Sequence, residues 1–280
     1  MKAAIRNLID GIPFCPVPVR LRSSSIGAID FWWSRLGAEI DIAPSGMIFR
    51  GEESSDLAFM KRYLQRGMCY VDVGAYHGLY AVVPGRKVGR GGTVVLFEPS
   101  KAACRRARIN LVLNRVSARI ENMAVAERCG VVDYHQVIDG IETMGALRPP
   151  ASRDPVRTRK VSAVTLDAYC RANAVADIDL LKIDAEGAEL SVFAGAEYTL
   201  ETLRPIVICE VLDWVTEPWG YRARRIIEAL SGHGYRWYDI EPDGSLAEHA
   251  VRETYGEFRN YLAVPSEKVD TLRPLIGTKH

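Results

Sequence analysis

The residues Val71-Asp72-Val73-Gly74-Ala75-Tyr76-His77-Gly78 constrain the fold of this chain more than any other segment. An apolar run from Cys69 to Val73 ends in glycines, a pattern that predicts a buried strand followed by a tight turn. A second apolar run, Thr93 to Phe97, ends at Glu98, twenty residues after Gly78. In a βαβ unit such an acid lies at the carboxyl end of the neighbouring strand, where it can accept hydrogen bonds from ribose hydroxyls. The two runs predict a pocket for a cofactor that contains adenosine.

The spacing within the turn favours one cofactor over another. Dinucleotide-binding turns read G-x-G-x-x-G, so that the backbone can meet a pyrophosphate, whereas this chain reads D-x-G-x-x-x-G. Asp72, at the mouth of the turn, would repel a pyrophosphate and pair with an ammonium group. S-adenosylmethionine carries an ammonium group and no phosphate, so the sequence favours it over NAD.

Length and composition describe an ordinary globular protein of 280 residues, with 48% hydrophobic and 25% charged residues. The net charge of +1 argues against general nucleic-acid binding. We find no apolar stretch long enough to span a membrane and no signal peptide. None of the six cysteines forms a C-x-x-C pair, which favours a reducing, cytoplasmic setting over a disulfide framework. The sequence leaves open whether the chain forms a homodimer.

Strand and helix patterns alternate through most of the chain, which predicts an α/β fold with a mostly parallel seven-stranded sheet and helices on both faces. The last two strands are joined by a loop and predict an antiparallel terminal pair. The predicted strands are 69–73, 93–97, 118–122, 178–183, 205–211, 235–240 and 259–264, with an extra strand at 130–137. The predicted helices are 54–66, 101–114, 188–200 and 221–231.

Two regions depart from this alternation. Residues 1–55 are an N-terminal extension, with a predicted short helix within 26–36 and a hairpin pairing 40–42 with 47–49; it could cover the active site or form an interface. Residues 56–280 form the main domain, which contains a basic, proline-rich loop at 139–160. That loop is either a solvated surface or a lid that meets an acidic substrate through Arg153, Arg157 and Arg159.

A second acidic turn follows the predicted fourth strand. Asp184, Glu186 and Glu189 come directly after Leu181-Lys182-Ile183, and Glu210 ends the fifth strand. Ligands of open α/β sheets bind at the carboxyl ends of the strands, so Asp184 and Glu186 are expected to face the cofactor pocket. Alternatively, these acids cap helix starts, where a carboxylate offsets the helix dipole.

Four elements together resemble the FkbM family of S-adenosylmethionine-dependent methyltransferases, over residues 55–265. They are Asp72-Val73-Gly74-Ala75 with Gly78, Phe97-Glu98-Pro99, Thr165-Leu166-Asp167, and Lys182-Ile183-Asp184 with Glu186-Gly187-Ala188-Glu189. The resemblance implies a class I methyltransferase fold, which is Rossmann-like, and methyl transfer to a hydroxyl of a sugar, a glycan or a natural product. Tyr76 and His77 depart from the family's pattern, and so do the residues after Glu210.

The expected roles follow from position. The cofactor is expected to contact Asp72 at its amino-acid end, Glu98 at its ribose, and Asn122 at its adenine. The remaining expected cofactor contacts are Gly74, Ala75, Tyr76, Gly78, Pro99, Ser100 and Asp184. A base must take the acceptor's proton, and the candidates are Asp184, then Glu186, then His77.

Three alternatives stay open. Asp184, Glu186 and Glu210 could hold Mg²⁺, because clustered carboxylates suit a hard cation; no spacing signature marks a metal site, so metal ligands are not favoured. An NAD-dependent oxidoreductase or epimerase is disfavoured by the missing glycine. A non-catalytic α/β interaction module is disfavoured because a scaffold does not need to concentrate acids at strand ends.

Overall fold

A central β-sheet organises the part of the chain that this computed structural model describes, namely residues 17–23, 27–33, 52–137, 145–149 and 155–277. Its eight strands are β3 (Cys69–Val73), β4 (Thr93–Phe97), β5 (Arg119–Glu121), β10 (Leu180–Ile183), β11 (Ile206–Glu210), β12 (Tyr235–Ile240), β13 (Leu246–Glu248) and β14 (Asn260–Pro265). They lie in the order β13-β12-β14-β11-β10-β3-β4-β5.

The seven predicted strands are all present, and the mostly parallel sheet is confirmed. Strands β5, β4, β3, β10 and β11 run parallel, while β14 lies antiparallel between β11 and β12. The eighth strand, β13, is a short addition at the edge that pairs antiparallel with β12. Because β3 lies between β4 and β10, the carboxyl ends of these three strands meet at one edge of the sheet.

Helices cover both faces of the sheet. They are α1 (Glu52–Tyr63), α2 (Leu79–Val88), α3 (Lys101–Leu113), α4 (Leu166–Ala172), α5 (Glu189–Ala194), α6 (Asp213–Thr216) and α7 (Arg224–Gly232). Alternate residues of each strand face opposite cores: Leu180 packs with α1 and α2, and its neighbour Leu181 packs on the other side with α4 and α7. The predicted helix at 188–200 is shorter than expected, because Gly195 ends α5 and a π-helical turn, Thr199–Leu203, follows.

A second sheet is inserted between β5 and α4. Its four strands lie in the order β6-β9-β7-β8 and are β6 (Ala124–Val125), β7 (Gly130–Val137), β8 (Gly145–Ala146) and β9 (Val156–Val164). We call it the inserted sheet. The extra strand predicted at 130–137 is confirmed. The loop predicted at 139–160 is partly wrong, because residues 156–160 pair antiparallel with β7.

The cause of that error is visible in β9. Four consecutive residues, Arg157 to Lys160, are exposed, and three of them are charged, so the segment has the composition of a solvated loop. Its backbone is nevertheless paired with β7, and long-range pairing of this kind leaves little trace in local composition. The lid function of the region stays a prediction.

The N-terminal region also differs from expectation. The predicted helix within 26–36 is instead a strand, β2 (Gly27–Trp33), paired antiparallel with β1 (Val17–Ser23). Aromatic and β-branched residues are typical of strands, and β2 contains Ile29, Phe31, Trp32 and Trp33. The hairpin predicted at 40–42 and 47–49 lies outside the described residues. Within them, no helix has the length and apolar character needed to cross a bilayer.

Candidate cofactor and active site

The glycine turn after β3 is held tightly between two neighbouring strands. The backbone N–H groups of Gly74 and Ala75 both donate to the carbonyl of Phe97, at 3.0 and 3.1 Å. Gly74 has a φ of 84°, and a Cβ at this position would lie 1.8 Å from the carbonyl oxygen of Asp184. Only glycine fits here, because the turn needs left-handed backbone and the end of β10 lies against it.

The side chain of Glu98 is hydrogen-bonded to the backbone of this turn. The side chain is buried, and its two carboxylate oxygens accept hydrogen bonds from the backbone N–H groups of Tyr76, at 2.9 Å, and Ser100, at 2.6 Å. Burial raises the pKa of Glu98 to about 7, against the opposing effect of these two hydrogen bonds. Each carboxylate oxygen has a second lone pair, so Glu98 can still accept hydrogen bonds from a ligand.

The residues after Glu98 hold the segment in place. The Asn122 amide donates to the carbonyls of Glu98, at 2.9 Å, and Pro99, at 2.8 Å. The Ser100 hydroxyl caps α3 by accepting a hydrogen bond from the N–H of Ala103. Ser100 and Asn122 therefore have structural roles beside the cofactor contacts expected of them, which stay predictions.

Asp72 is fully buried at the end of β3, and neither of its carboxylate oxygens has a hydrogen-bond partner among the described residues. Burial raises its pKa to about 6, and the opposite charge of Lys182 limits the rise. The Tyr70 hydroxyl also favours the ionised form, but it does not meet Asp72 with hydrogen-bond geometry. A buried acceptor of this kind suits a donor supplied by a ligand.

Lys182 belongs to a motif named in the sequence analysis, but no role was predicted for it. Its ammonium group is buried, donates to Asp184 at 2.8 Å and lies 4.3 Å from the centre of the Tyr80 ring. The Tyr80 hydroxyl in turn donates to Asp56, in α1, at 3.3 Å. Nearby carboxylates raise the pKa of Lys182, so it stays charged in spite of burial. The available signal was a lysine inside an otherwise apolar strand, Leu180–Ile183, because buried charges are almost always paired.

Acidic side chains gather beyond β10 and β11, as predicted. Burial and the charge of Asp184 raise the pKa values of Glu186 and Glu210 well above their usual range. Glu186 also has a left-handed backbone, with a φ of 51°. Glu189 has a different role: its carboxylate accepts hydrogen bonds from the N–H groups of Ala185 and Gly187 and so holds the turn together. The catalytic roles expected of Asp184 and Glu186 stay predictions.

His77 is poorly suited to be the base. The side chain is buried, and its Nε2 lies 2.8 Å from a guanidinium nitrogen of Arg106, in α3. Arginine has no acceptor, so the bond occupies the Nε2 lone pair. Burial, and then the charge of Arg106, lower the pKa of His77 well below its usual range. The imidazole is therefore neutral and engaged in packing, which argues for Asp184 and Glu186 instead.

A metal site finds no support in the part of the chain that the structure describes. Within it, no group of three or more His, Cys, Asp or Glu side chains is arranged to hold a metal ion. Asp184 is instead paired with Lys182, whose ammonium group occupies the position beside its carboxylate.

A cavity of about 340 Å³ lies between the segment after Glu98 and the inserted sheet. One side is formed by Pro99, Ser100, Lys101 and Asn122. The facing side is formed by the inserted sheet, through Tyr134, Gln136, Arg159, Lys160, Val161 and Ser162. The residues that follow Glu98, Pro99 to Lys101, therefore border a space that is large enough for part of a ligand.

Comparison with known proteins identifies the family. The model of the methyltransferase FkbM domain matches residues 72–237, more than half of the chain. This chain belongs to the FkbM methyltransferase family. The match begins at Asp72 and contains the glycine turn, Glu98, Asp184 and the inserted sheet, so the resemblance seen in the sequence is confirmed, and with it the class I methyltransferase fold.

A curated relative of the FkbM family is the 31-O-demethyl-FK506 methyltransferase FkbM of Streptomyces tacrolimicus. It is 25% identical over an alignment of 231 residues that covers 69% of this chain and 86% of the relative. Among solved structures, the FkbM methyltransferase of Methylobacillus flagellatus is 15% identical with a TM-score of 0.45. That match covers 75% of this chain and 47% of the other, so this chain spans about half of that protein. The O-methyltransferase TomG of Streptomyces achromogenes, solved with SAM, is 14% identical with a TM-score of 0.43, covering 81% and 82%.

Proposed function

We propose that this FkbM-family methyltransferase uses S-adenosylmethionine to methylate a hydroxyl of a sugar, a glycan or a natural product. Family membership supports methyl transfer, and the Streptomyces tacrolimicus relative is named as a methyltransferase of 31-O-demethyl-FK506. The observation that carries the choice of cofactor is the direct bonding of Glu98 to the glycine turn through the N–H of Tyr76.

The residues present fit this cofactor at two points. Glu98 has lone pairs left to accept from two ribose hydroxyls, as acids at this position of nucleotide-binding folds do. Asp72 is a buried acceptor without a partner among the described residues, and an ammonium group, directly or through a water, would satisfy it. Gly74 packs against the backbone of Asp184, which keeps the turn beside the end of β10.

Binding of the cofactor can be tested without knowing the acceptor. S-adenosylhomocysteine should raise the melting temperature of the wild-type protein, and NAD should not. Titration calorimetry should then show that Glu98→Ala weakens binding of S-adenosylhomocysteine by about 1–3 kcal/mol, because two hydrogen-bond acceptors are lost. A dissociation constant equal to that of the wild type would remove Glu98 from the site.

Bound S-adenosylmethionine would supply an electrophilic methyl group on its sulfonium. The protein's part is to hold an acceptor hydroxyl in line with that methyl group and to take the proton that the oxygen loses. Asp184 is the first candidate for the base, because its carboxylate is partly exposed, while Lys182 fixes its orientation through one oxygen. Glu186 is the second, because burial raises the pKa of its carboxyl well above the usual range, and a more basic carboxylate is a stronger proton acceptor.

The two candidate bases can be separated with labelled S-adenosylmethionine and a panel of hydroxylated acceptors. We expect Asp184→Asn to lose turnover by about 10²–10⁴-fold while it still binds S-adenosylhomocysteine. Glu186→Gln serves as the matched variant, since it also changes one carboxylate to an amide in the same turn. Near-normal turnover in Asp184→Asn together with a large loss in Glu186→Gln would assign the base to Glu186.

A further inference from the structure

The inserted sheet contributes a wall to the cavity beside Glu98, and its register decides which side chains face inward. In an antiparallel pair, directly opposed residues lie on the same face. Tyr134 is opposed to Arg159, and Val132 to Val161. Tyr134 is buried and lines the cavity, so its face is the inner one. Arg159 is therefore directed toward the cavity, and Gln136, two residues after Tyr134, lies on the same face.

The cavity combines apolar surface and amide groups with three cationic side chains, those of Lys101, Arg159 and Lys160. Pro99, Tyr134 and Val161 supply the apolar surface, and Asn122 and Gln136 supply amides. Among the residues that the structure describes, no carboxylate lines it, and the acids proposed for catalysis, Asp184 and Glu186, are not part of its lining. The apolar surface, the amides and the guanidinium suit a planar heterocycle with hydrogen-bonding edges rather than the reacting end of the acceptor.

The guanidinium of Arg159 is the group in the cavity that most narrows the kind of ligand that would fit. The guanidinium is exposed at the cavity, and among the described residues it forms no ion pair. Planar guanidinium groups stack on π-systems. The neighbouring Lys160 also borders the cavity. Its ammonium group, however, forms an ion pair at 2.9 Å with Asp133, the residue directly opposite Lys160 in β7, on the other face of the sheet.

We propose that the inserted sheet is part of the cofactor site, where Arg159 stacks on the nucleobase of the cofactor and Gln136 faces the edge of that base. The inference rests on the proposed function, since it takes the ribose to be bound by Glu98. The nucleobase is joined to that ribose, and Pro99 and Ser100, which follow Glu98, form the opposite wall of the cavity.

Calorimetry with S-adenosylhomocysteine tests the proposal in four proteins: the wild type, Arg159→Ala, Arg159→Lys and Lys160→Ala. We expect Arg159→Ala to bind about 3–30-fold more weakly, and Arg159→Lys to fall between it and the wild type, because lysine keeps the charge but loses the planar group. Lys160→Ala is the control on the same strand and should bind within about twofold of the wild type, since its charge is already paired at the surface.

A second ligand locates the contact. S-ribosylhomocysteine lacks the nucleobase, so Arg159→Ala should bind it as well as the wild type does. Unchanged binding of S-adenosylhomocysteine by Arg159→Ala would overturn the inference, as would an equal loss for both ligands or an equal loss in Lys160→Ala. If the wild type itself does not bind S-adenosylhomocysteine, the proposed function fails instead, so the two failures are distinguishable.

Discussion

Replacing Gly74 by alanine tests whether the ends of β3 and β10 are packed as tightly as the structure indicates. The residue has a φ of 84°, and the new Cβ would lie 1.8 Å from the backbone oxygen of Asp184. The left-handed conformation alone costs about 1–2 kcal/mol for a residue with a Cβ. The clash is with backbone rather than with a movable side chain, so relief requires β10 to shift, at about 1–3 kcal/mol more. We expect Gly74→Ala to lower the free energy of unfolding by about 2–5 kcal/mol.

The control for this prediction is Gly67→Ala, in the turn before β3. Gly67 has a similar φ of 90°, but a Cβ there would meet nothing within 4 Å. It should lose only the conformational term of about 1–2 kcal/mol. Urea unfolding of both variants gives the contact term by difference, and Gly74→Ala should also lose binding of S-adenosylhomocysteine, whereas Gly67→Ala keeps it. Equal destabilisation of the two variants would refute the close approach of Asp184.

Two further predictions concern buried charges. Lys182→Met should lower the free energy of unfolding, measured by urea titration, by about 3–5 kcal/mol, because it leaves buried carboxylates without their cation. Lys160→Met is the control: it breaks an exposed ion pair with Asp133 and should lower the free energy of unfolding by less than about 1 kcal/mol. Burial raises the pKa of Glu98 from 4.5 to about 7. Between these pH values the folded protein keeps a proton on Glu98 that the unfolded chain has lost. The free energy of unfolding should therefore fall as the pH rises from about 4.5 to about 7. Glu98→Gln should reduce this fall by up to about 3 kcal/mol in unfolding curves measured from pH 4 to 8, and an unchanged pH profile would show that Glu98 titrates normally.

The position of the glycine turn beside the strand-end acid was accessible from sequence, because the relation between them is local. Gly74 and Glu98 belong to one βαβ unit, in which a glycine turn and a strand-end acid are brought together by two adjacent parallel strands. In the structure the two are joined by a hydrogen bond from the N–H of Tyr76 to Glu98, while the contact of Glu98 with a ribose stays a prediction. His77 lies in the same turn, but its role could not be predicted, because its partner Arg106 lies in α3, beyond α2 and β4.

The contacts that sequence reasoning missed join distant parts of the chain. Asp56, in α1, and Lys182, in β10, are both linked to Tyr80, through a hydrogen bond and a cation–π contact. Charged residues in β9 made a paired strand resemble a loop, although Arg159 lies opposite Tyr134 of β7. Neither relation has a local pattern, because each depends on which elements pack together.

The sequence by itself determined the alternation of strands and helices, the glycine turn and the acids at the strand ends. Those features follow from periodicity and from the conformations that each residue allows, both of which act over a few neighbouring residues. The tertiary structure decided which carboxylates still have oxygens free to accept hydrogen bonds. It does so because folding buries the acids and brings partners such as Lys182 and Tyr76 to them. The tertiary structure also placed the inserted sheet opposite the segment after Glu98. Contacts between residues so far apart in the chain leave no local sequence pattern.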